Sequence, residues 1–290
     1  GIRYSYQEAK PVTYDLDAAT VTDEDIRNDR AFSPKVGLIY QPLKTLTLFS
    51  SYSNSFTPNS GVTINDEAIK PSLIDQFEAG IKNEFLSGNL KTNLTFYQIV
   101  NSNLAQMAEF DANGNINTNN QVKTLSGETK SKGFEIDIDY AALKDLNIKA
   151  GYSYNDMRYT KTSGLNGSFI EGDRLTRTPQ HTANLSFFYT VSTGMFKNVS
   201  FGAIGNYIGN RMAGWNNQID TSLPNGIKDR QIPLNGYTSI DASVGYKWKN
   251  ITLLCKLSNI TNELNYTVHE NYSVNPIAPR QVLTSIRYQF

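Results

Sequence analysis

The chain has 290 residues with 27 basic and 27 acidic side chains, so at zero formal charge it has no field to draw in nucleic acid or an acidic substrate. No run of about eighteen apolar residues occurs, which excludes a transmembrane helix, and a single cysteine, Cys255, excludes an internal disulfide. A mean hydropathy of -0.42 looks soluble, yet it equally suits a membrane barrel, where only alternate strand residues meet lipid.

In chain order the first predicted element is an alternating strand, Ile2, Tyr4 and Tyr6 against Arg3, Ser5 and Gln7. No initiator Met, charged region or apolar leader precedes it. A mature form or, because the start falls inside a strand, a fragment is expected. Strands beginning near Lys35, Asp75, Lys130, His181 and Asn235 then each lead through a tight link to a second strand. The links are Pro42 to Thr45, Ser87 to Asn89, Lys144 to Asp145, Ser192 to Asn198 and Lys249 to Asn250. Polar loops several times longer separate these hairpins: Lys10 to Pro34, Pro58 to Leu73, Met107 to Gly127, Thr162 to Gln180, Gly214 to Leu234 and Val268 to Pro279. The last strand alternates Val282, Thr284, Ile286, Tyr288 and Phe290 with Leu283, Ser285, Arg287 and Gln289. About twelve strands with loop length sorted by parity predict an all-β, antiparallel transmembrane β-barrel, with short turns on one face and long loops on the other. A soluble sandwich or propeller has no reason to sort its loops this way. Either twelve strands close alone, or further strands complete the ring, because open sheet edges in lipid are prohibitive.

Neighbouring residues of a strand point to opposite faces. Phe134, Ile136, Ile138 and Tyr140 therefore face away from Glu135, Asp137 and Asp139. Three carboxylates cannot face hydrocarbon, so they look into a wet lumen and the apolar set meets lipid. The same split recurs with Leu146, Ile148, Ala150 and Tyr152 against Asn147, Lys149 and Ser153, and with Ile240, Ala242, Val244, Tyr246 and Trp248 against Ser239, Asp241 and Lys247. Parity puts Cys255 on the lipid face with Ile251, Leu253 and Leu257, as an inert small hydrophobe. Seventeen Tyr and fourteen Phe suit aromatic girdles at the two water interfaces, although strand propensity alone also enriches them.

Several blocks, in order, carry a family resemblance: FSPKVGLIYQP with LTLFSSYSNSFTPN (Phe32 to Asn59), KPSLIDQFEAGIKNEF with LKTNLTFYQIVNSNL (Lys70 to Leu104), GETKSKGFEIDI (Gly127 to Ile138), LNIKAGYSYNDMRYTK (Leu146 to Lys161), GDRLTRTPQHTANLSFFY (Gly172 to Tyr189), LNGYTSIDASVGYKW (Leu234 to Trp248), LSNITNELNY (Leu257 to Tyr266) and the terminal APRQVLTSIRYQF. Together they resemble the C-terminal half of the barrel of a TonB-dependent outer-membrane receptor, in its ferric-siderophore (ferrichrome and pyoverdine) branch. The resemblance implies a roughly 22-stranded barrel around a separate N-terminal plug. Residues 1–290 would supply its last twelve or so strands, with plug and earlier strands absent. It implies the outer membrane of a Gram-negative bacterium, no enzymatic activity, no covalent cofactor, and a ferric siderophore as cargo. Energy would come from the TonB-ExbB-ExbD system through the plug, and the strand ending at Phe290 would be read by the barrel assembly machinery. A monomeric barrel among outer-membrane lipids, with no nucleic-acid partner, follows. Cobalamin, haem or oligosaccharide receptors and a passive channel are the alternatives. In the blocks themselves, Gly133 suits a bulge or a close approach, and Pro179 sits before a strand where its missing donor does no harm.

Specificity should reside in the long loops and upper lumen, where rings supply apolar contact and a cation meets an anionic chelate. The expected contacts are Arg158, Tyr159, Phe169, Arg211, Trp215, His269 and Tyr272. The competing reading for Trp215 is loop-to-loop packing, and for the others a solvated loop side chain. Catalytic and metal readings are weak. His181 and His269 have neither ligand spacing nor a nucleophile partner, and the Asp111 to Asn115 run starts like a calcium loop but has Ile116 and Val122 where Gly and the closing acid belong, so a glycine-rich hairpin tip is expected. Asp23, Glu24, Asp25 and Asp29, with Arg27 and Arg30, read as a solvated mixed-charge loop.

Overall fold

The structure, a computed structural model, describes residues 1–290 apart from 11, 16–18, 24–26, 109–110, 116, 120, 163–169, 215–230 and 270–272. It holds one antiparallel sheet of 12 strands, each paired with its neighbour in sequence. The strands are β1 (Ile2–Ala9), β2 (Arg27–Leu43), β3 (Leu46–Thr57), β4 (Ser72–Phe85), β5 (Leu90–Met107), β6 (Lys123–Leu143), β7 (Leu146–Lys161), β8 (His181–Thr190), β9 (Val199–Ile208), β10 (Tyr237–Trp248), β11 (Ile251–Ser258) and β12 (Gln281–Tyr288). The five tight links lie where the sequence puts them. The link after Phe85 reverses the chain with Leu86, Ser87 and Gly88 all at left-handed φ of 51°, 57° and 88°.

The register separates the two faces. One row across nine strands is Phe85, Leu90, Tyr140, Ile148, Phe187, Ala203, Ala242, Leu257 and Val282, all apolar. One residue along, the opposite face carries Glu84, Lys91, Asp139, Lys149, Ser186, Ile204 and Asp241. Charge alternates over the first four, with Lys91 3.8 Å from Glu84 and Lys149 2.9 Å from Asp139. These side chains are half exposed or more, so the pairs set polarity and contribute little stability. Two clefts open on this polar face. One, of about 470 Å³, lies among Lys82, Glu84, Lys91, Asp137, Asp139 and Lys149, and the other among Phe188, Ile204, Asp241, Ser243 and Lys256. The wall is hollow on its polar side. Cys255 lies outward between Val244 and Thr284, as parity required.

No interior competes with this arrangement. Among the described residues the buried apolar side chains are Ile69, Ala108 and Ala213, whereas Leu38 is 71% exposed and Ile286 74%. A soluble protein would bury such side chains for about 1.5 to 3 kcal/mol each. Here lipid supplies that environment.

Aromatics mark the limits of the outward band. Tyr140, Phe187, Tyr189, Tyr246, Trp248 and Tyr288 stand near the short turns, and Tyr52, Phe77, Phe96, Phe134 and Tyr154 form the other border. From Leu146 to Tyr154 is about nine residues, within the roughly 9–11 that a tilted strand needs to cross.

Several expectations on loop limits are corrected. β2 starts at Arg27 rather than near Lys35, paired with β1 as far as Ala9, and the third loop shrinks to 108–122 because β5 and β6 rise to Met107 and from Lys123. Beyond the lipid both faces are wet, so the side-chain pattern fades while the hydrogen-bond ladder continues. The sixth loop instead opens early, at 259, where Asn259 and Asn262 take left-handed φ of 48° and 53°. Short hairpins sit inside three loops: Val12–Asp15 with Thr20–Asp23, Arg211–Ala213 with Ile232–Leu234, and Tyr266–His269 with Ser273–Pro276. Among the described residues β1 pairs only with β2, and β12 only with β11.

Candidate functional site

The long loops gather at one end of the wall, and several are built into fixed bodies. Loops 58–71 and 108–122 are stitched together: Val62 N–H donates to Gln121 O at 2.9 Å and Lys123 N–H to Val62 O at 2.8 Å. Under them Ile69 and Ser72 are almost fully buried, and Ser72 Oγ donates to Asn103 O at 3.0 Å. Asn117 is buried as well and donates from Nδ2 to the Ala108 and Val122 carbonyls, both at 3.1 Å. At the tip, Asp111 Oδ1 accepts the N–H of Asn113 at 2.8 Å and of Asn115 at 2.9 Å, while Gly114 takes φ +80°. The backbone donor of Asn115, first among the cooperating amides, holds the Asp111 carboxyl below the usual carboxylate range. Its acidity serves a turn, in keeping with the hairpin reading of that run.

Adjacent candidates part company on β7. Tyr159 shares its face with Lys149, Ser153 and Met157, so it looks into the hollow side above the lipid band. Its N–H donates to Asp173 O at 3.0 Å and its carbonyl accepts from Gly172 N–H at 2.8 Å, which lays 172–175 alongside the strand. Burial pushes the phenol up to about 12, so it is a neutral donor at physiological pH. Arg158 has the parity of Tyr152 and Tyr154 and points outward. Its Nε donates to Asp156 Oδ1 at 2.9 Å and its NH1 to Gly172 O at 2.8 Å.

Arg211 is also committed. Only 8% exposed, it donates from NH2 to Asn265 Oδ1 at 2.9 Å and to Tyr266 O, and from NH1 to Asn235 O at 3.3 Å, with its guanidinium 5.5 Å from the Tyr237 ring centre. It clamps the fifth loop to the sixth. His269 lies at the end of the small hairpin fastened there, opposite Ser273. Phe169, Trp215 and Tyr272 lie outside the described residues. The described candidates occupy different places: Tyr159 is on the lumen wall, Arg158 on the outer face, Arg211 inside a loop clamp and His269 on a loop hairpin.

Composition-based reasoning missed the asparagines. Asn259, 5% exposed, binds Glu263 O and Ala278 O, both at 3.0 Å, and Asn265 Nδ2 binds Asn235 O at 3.2 Å. The run Ser258-Asn259-Ile260-Thr261-Asn262 through Asn265 carried the signal, since Asn tolerates left-handed φ and bonds nearby backbone. His181 serves the outer border of the wall, its Nδ1 2.7 Å from Tyr152 Oη and its ring 5.3 Å from that of Tyr154.

The family model described as TonB dependent receptor-like, beta-barrel matches residues 1–260. The metal-pseudopaline receptor CntO of Pseudomonas aeruginosa is 26% identical over 266 residues, 91% of this chain and 34% of that protein. The ferrioxamine B receptor of Salmonella typhimurium is 26% identical over 76% of this chain and 28% of its own length. Among solved structures, the siderophore receptor PiuA from Acinetobacter baumannii superposes with a TM-score of 0.77 at 19% identity, covering 99% of this chain and 40% of that one. The chain spans about a third of the curated relatives it matches. Pairing, facing and family model agree: this chain belongs to the TonB-dependent receptors of the bacterial outer membrane, as part of their β-barrel.

Proposed function

We propose that the protein containing this chain imports a metal chelate, a ferric siderophore, through a barrel of which these twelve strands are the C-terminal arc around a separate plug. Energy comes from TonB, ExbB and ExbD through that plug, and the barrel, a monomer with no catalytic role, is inserted by the assembly machinery through its last strand. The observation that carries the reading is the division of one sheet into a lipid-facing apolar surface and a polar hollow capped by stitched loops. A fixed wall with built loops suits capture rather than bond chemistry. Cargo contact falls to Tyr159 and, by loop position, to Phe169, Trp215 and Tyr272, with His269 at their margin; Arg211 shapes the pocket without touching cargo. A broader metal-chelate specificity is the second reading, favoured by the similarity to the metal-pseudopaline receptor.

Uptake of a radiolabelled ferric siderophore by cells with and without the full-length protein tests this. TonB-dependent accumulation that requires the protein supports it. A chelate of another metal, taken up while the ferric complex is not, selects the second reading, and uptake of neither rejects both.

A further inference from the structure

Four Asn-Gly pairs occur in the sequence, and the described residues hold two of them, Asn113-Gly114 and Asn235-Gly236. Such a pair can react with itself. The glycine nitrogen attacks the preceding carboxamide carbon, which is quickest where no Cβ hinders the nitrogen and the backbone is free to turn. The fold places the two pairs in opposite circumstances.

Asn113-Gly114 forms the tip of the third loop, with both residues exposed. Among the described residues Asn113 makes one hydrogen bond, from its backbone N–H to Asp111 Oδ1 at 2.8 Å, so its carboxamide is free. Gly114 N–H closes the turn onto Asp111 O at 3.1 Å, and a Cβ built at Gly114 would meet nothing within 4 Å. Asn235-Gly236 is locked instead into the clamp between the fifth and sixth loops. The Asn235 carbonyl accepts from Arg211 NH1 at 3.3 Å and Asn265 Nδ2 at 3.2 Å, while Gly236 N–H donates to Asn210 Oδ1 at 2.7 Å. A Cβ at Gly236 would lie 2.9 Å from Ile208 O, so neighbouring backbone crowds that residue. Asn235 is exposed as well; freedom to move, not access to water, separates the two pairs.

We propose that Asn113 is a site of spontaneous, one-way modification, in which the loop tip converts its own asparagine to aspartate and isoaspartate. A solvent base takes the Gly114 amide proton and the nitrogen attacks Asn113 Cγ. The N–Cγ bond forms, the Cγ–Nδ2 bond breaks, and ammonia leaves with a proton drawn from water. Water then opens the five-membered imide at either carbonyl, so the sum is one water consumed and one ammonia released. Opening at the former side-chain carbonyl gives aspartate. Opening at the other routes the main chain through the side chain and lengthens it by a methylene. Either product puts a second carboxylate beside Asp111, and isoaspartate also moves the Asn115 amide off Asp111 Oδ1. The change ends at the tip, because Asn117 Nδ2 bonds to the Ala108 and Val122 carbonyls, and Val62 to Gln121 and Lys123, without its help. An older receptor thus carries more negative charge at one extracellular loop end than a new one.

The test incubates the full-length protein in detergent at mildly alkaline and mildly acidic pH. Conversion at each Asn-Gly pair is read by peptide mapping, with isoaspartyl methyltransferase labelling to identify isoaspartate. Asn113 should convert several-fold faster than Asn235, and faster in alkali because the attack needs a deprotonated nitrogen. Arg211→Met, which opens the clamp, should raise the Asn235 rate several-fold and leave the Asn113 rate unchanged. Gly114→Ala should slow Asn113 several-fold; because φ +80° there strains alanine, the Arg211 variant, with its tip untouched, gives the independent reading. Hydrogen exchange in the aged protein should rise at 111–115 and stay unchanged at Val62 and Lys123. Equal rates at the two pairs, Asn235 ahead of Asn113, or rates unmoved by either variant would overturn the proposal, as would exchange rising at Val62 and Lys123.

Discussion

Replacing Ile136 by Arg asks the wall directly which of its faces meets oil. Ile136 lies in the row Leu48, Ile81, Leu94, Ile136, Tyr152 and Ala183, between the aromatic borders at Phe134 and Tyr140. A guanidinium there must sit in hydrocarbon near the midplane, at a cost of about 2 to 4 kcal/mol. Its neighbour Asp137 is on the other face, where its carboxylate accepts from Asn93 Nδ2 at 3.3 Å across the hollow side. Asp137→Asn keeps an acceptor in place, and at a wet site away from any core the change should stay within about 0.5 kcal/mol. Refolding of the full-length protein into lipid vesicles, followed by denaturant titration, measures both. A large loss for Ile136→Arg beside a small one for Asp137→Asn is expected, and equal losses, or the reverse order, would refute the facing.

Gly133→Ala should cost about 1 to 3 kcal/mol, since its Cβ would lie 2.1 Å from Tyr154 O and 2.5 Å from Tyr97 Oη. Gly205→Ala, whose Cβ meets nothing within 4 Å, should be close to neutral, and similar melting shifts for the two would remove the close approach as the reason for Gly133. Arg211→Met should cost about 1 to 3 kcal/mol, by taking the guanidinium donor from the Tyr266 carbonyl and cutting its links to Asn265 Oδ1 and Asn235 O. Hydrogen exchange should then rise in the fifth and sixth loops together, and a rise in only one would contradict the clamp. For Asp111 the folded pKa lies below the unfolded one, so the turn's stabilisation is present above the ordinary carboxylate range near pH ~4 and is lost as pH falls through the folded value. The Asn113 and Asn115 amide resonances should therefore stay fixed at neutral pH and move in acid, and Asp111→Asn should abolish that acid transition.

The sheet was legible because a two-residue period in opposed solvents leaves an unambiguous trace. Glu135, Asp137 and Asp139 interleaved with Phe134, Ile136 and Ile138 allow one facing, and the tight links at Lys144 to Asp145 and Lys249 to Asn250 fix the reversals. Where both faces are wet that trace disappears, which is why Arg27 to Ser33 reads as loop while it pairs as strand. The loops were less legible still. Arg211 looks like a free cation in sequence, and only the fold brings it to Asn235, Asn265 and Tyr266, distant in the chain. Parity did carry information about Arg158 and Tyr159: consecutive residues of a strand cannot share a face, so at most one could line the lumen.

The most direct measurement is a spin-label scan of single cysteines at 134 to 140 in the full-length protein in bilayers, with Cys255 replaced by Ser. Oxygen accessibility should peak at 134, 136, 138 and 140, and accessibility to a polar nickel chelate at 135, 137 and 139. A profile without the two-residue alternation, or with its phase inverted, would contradict the assignment of oil and water to the two faces.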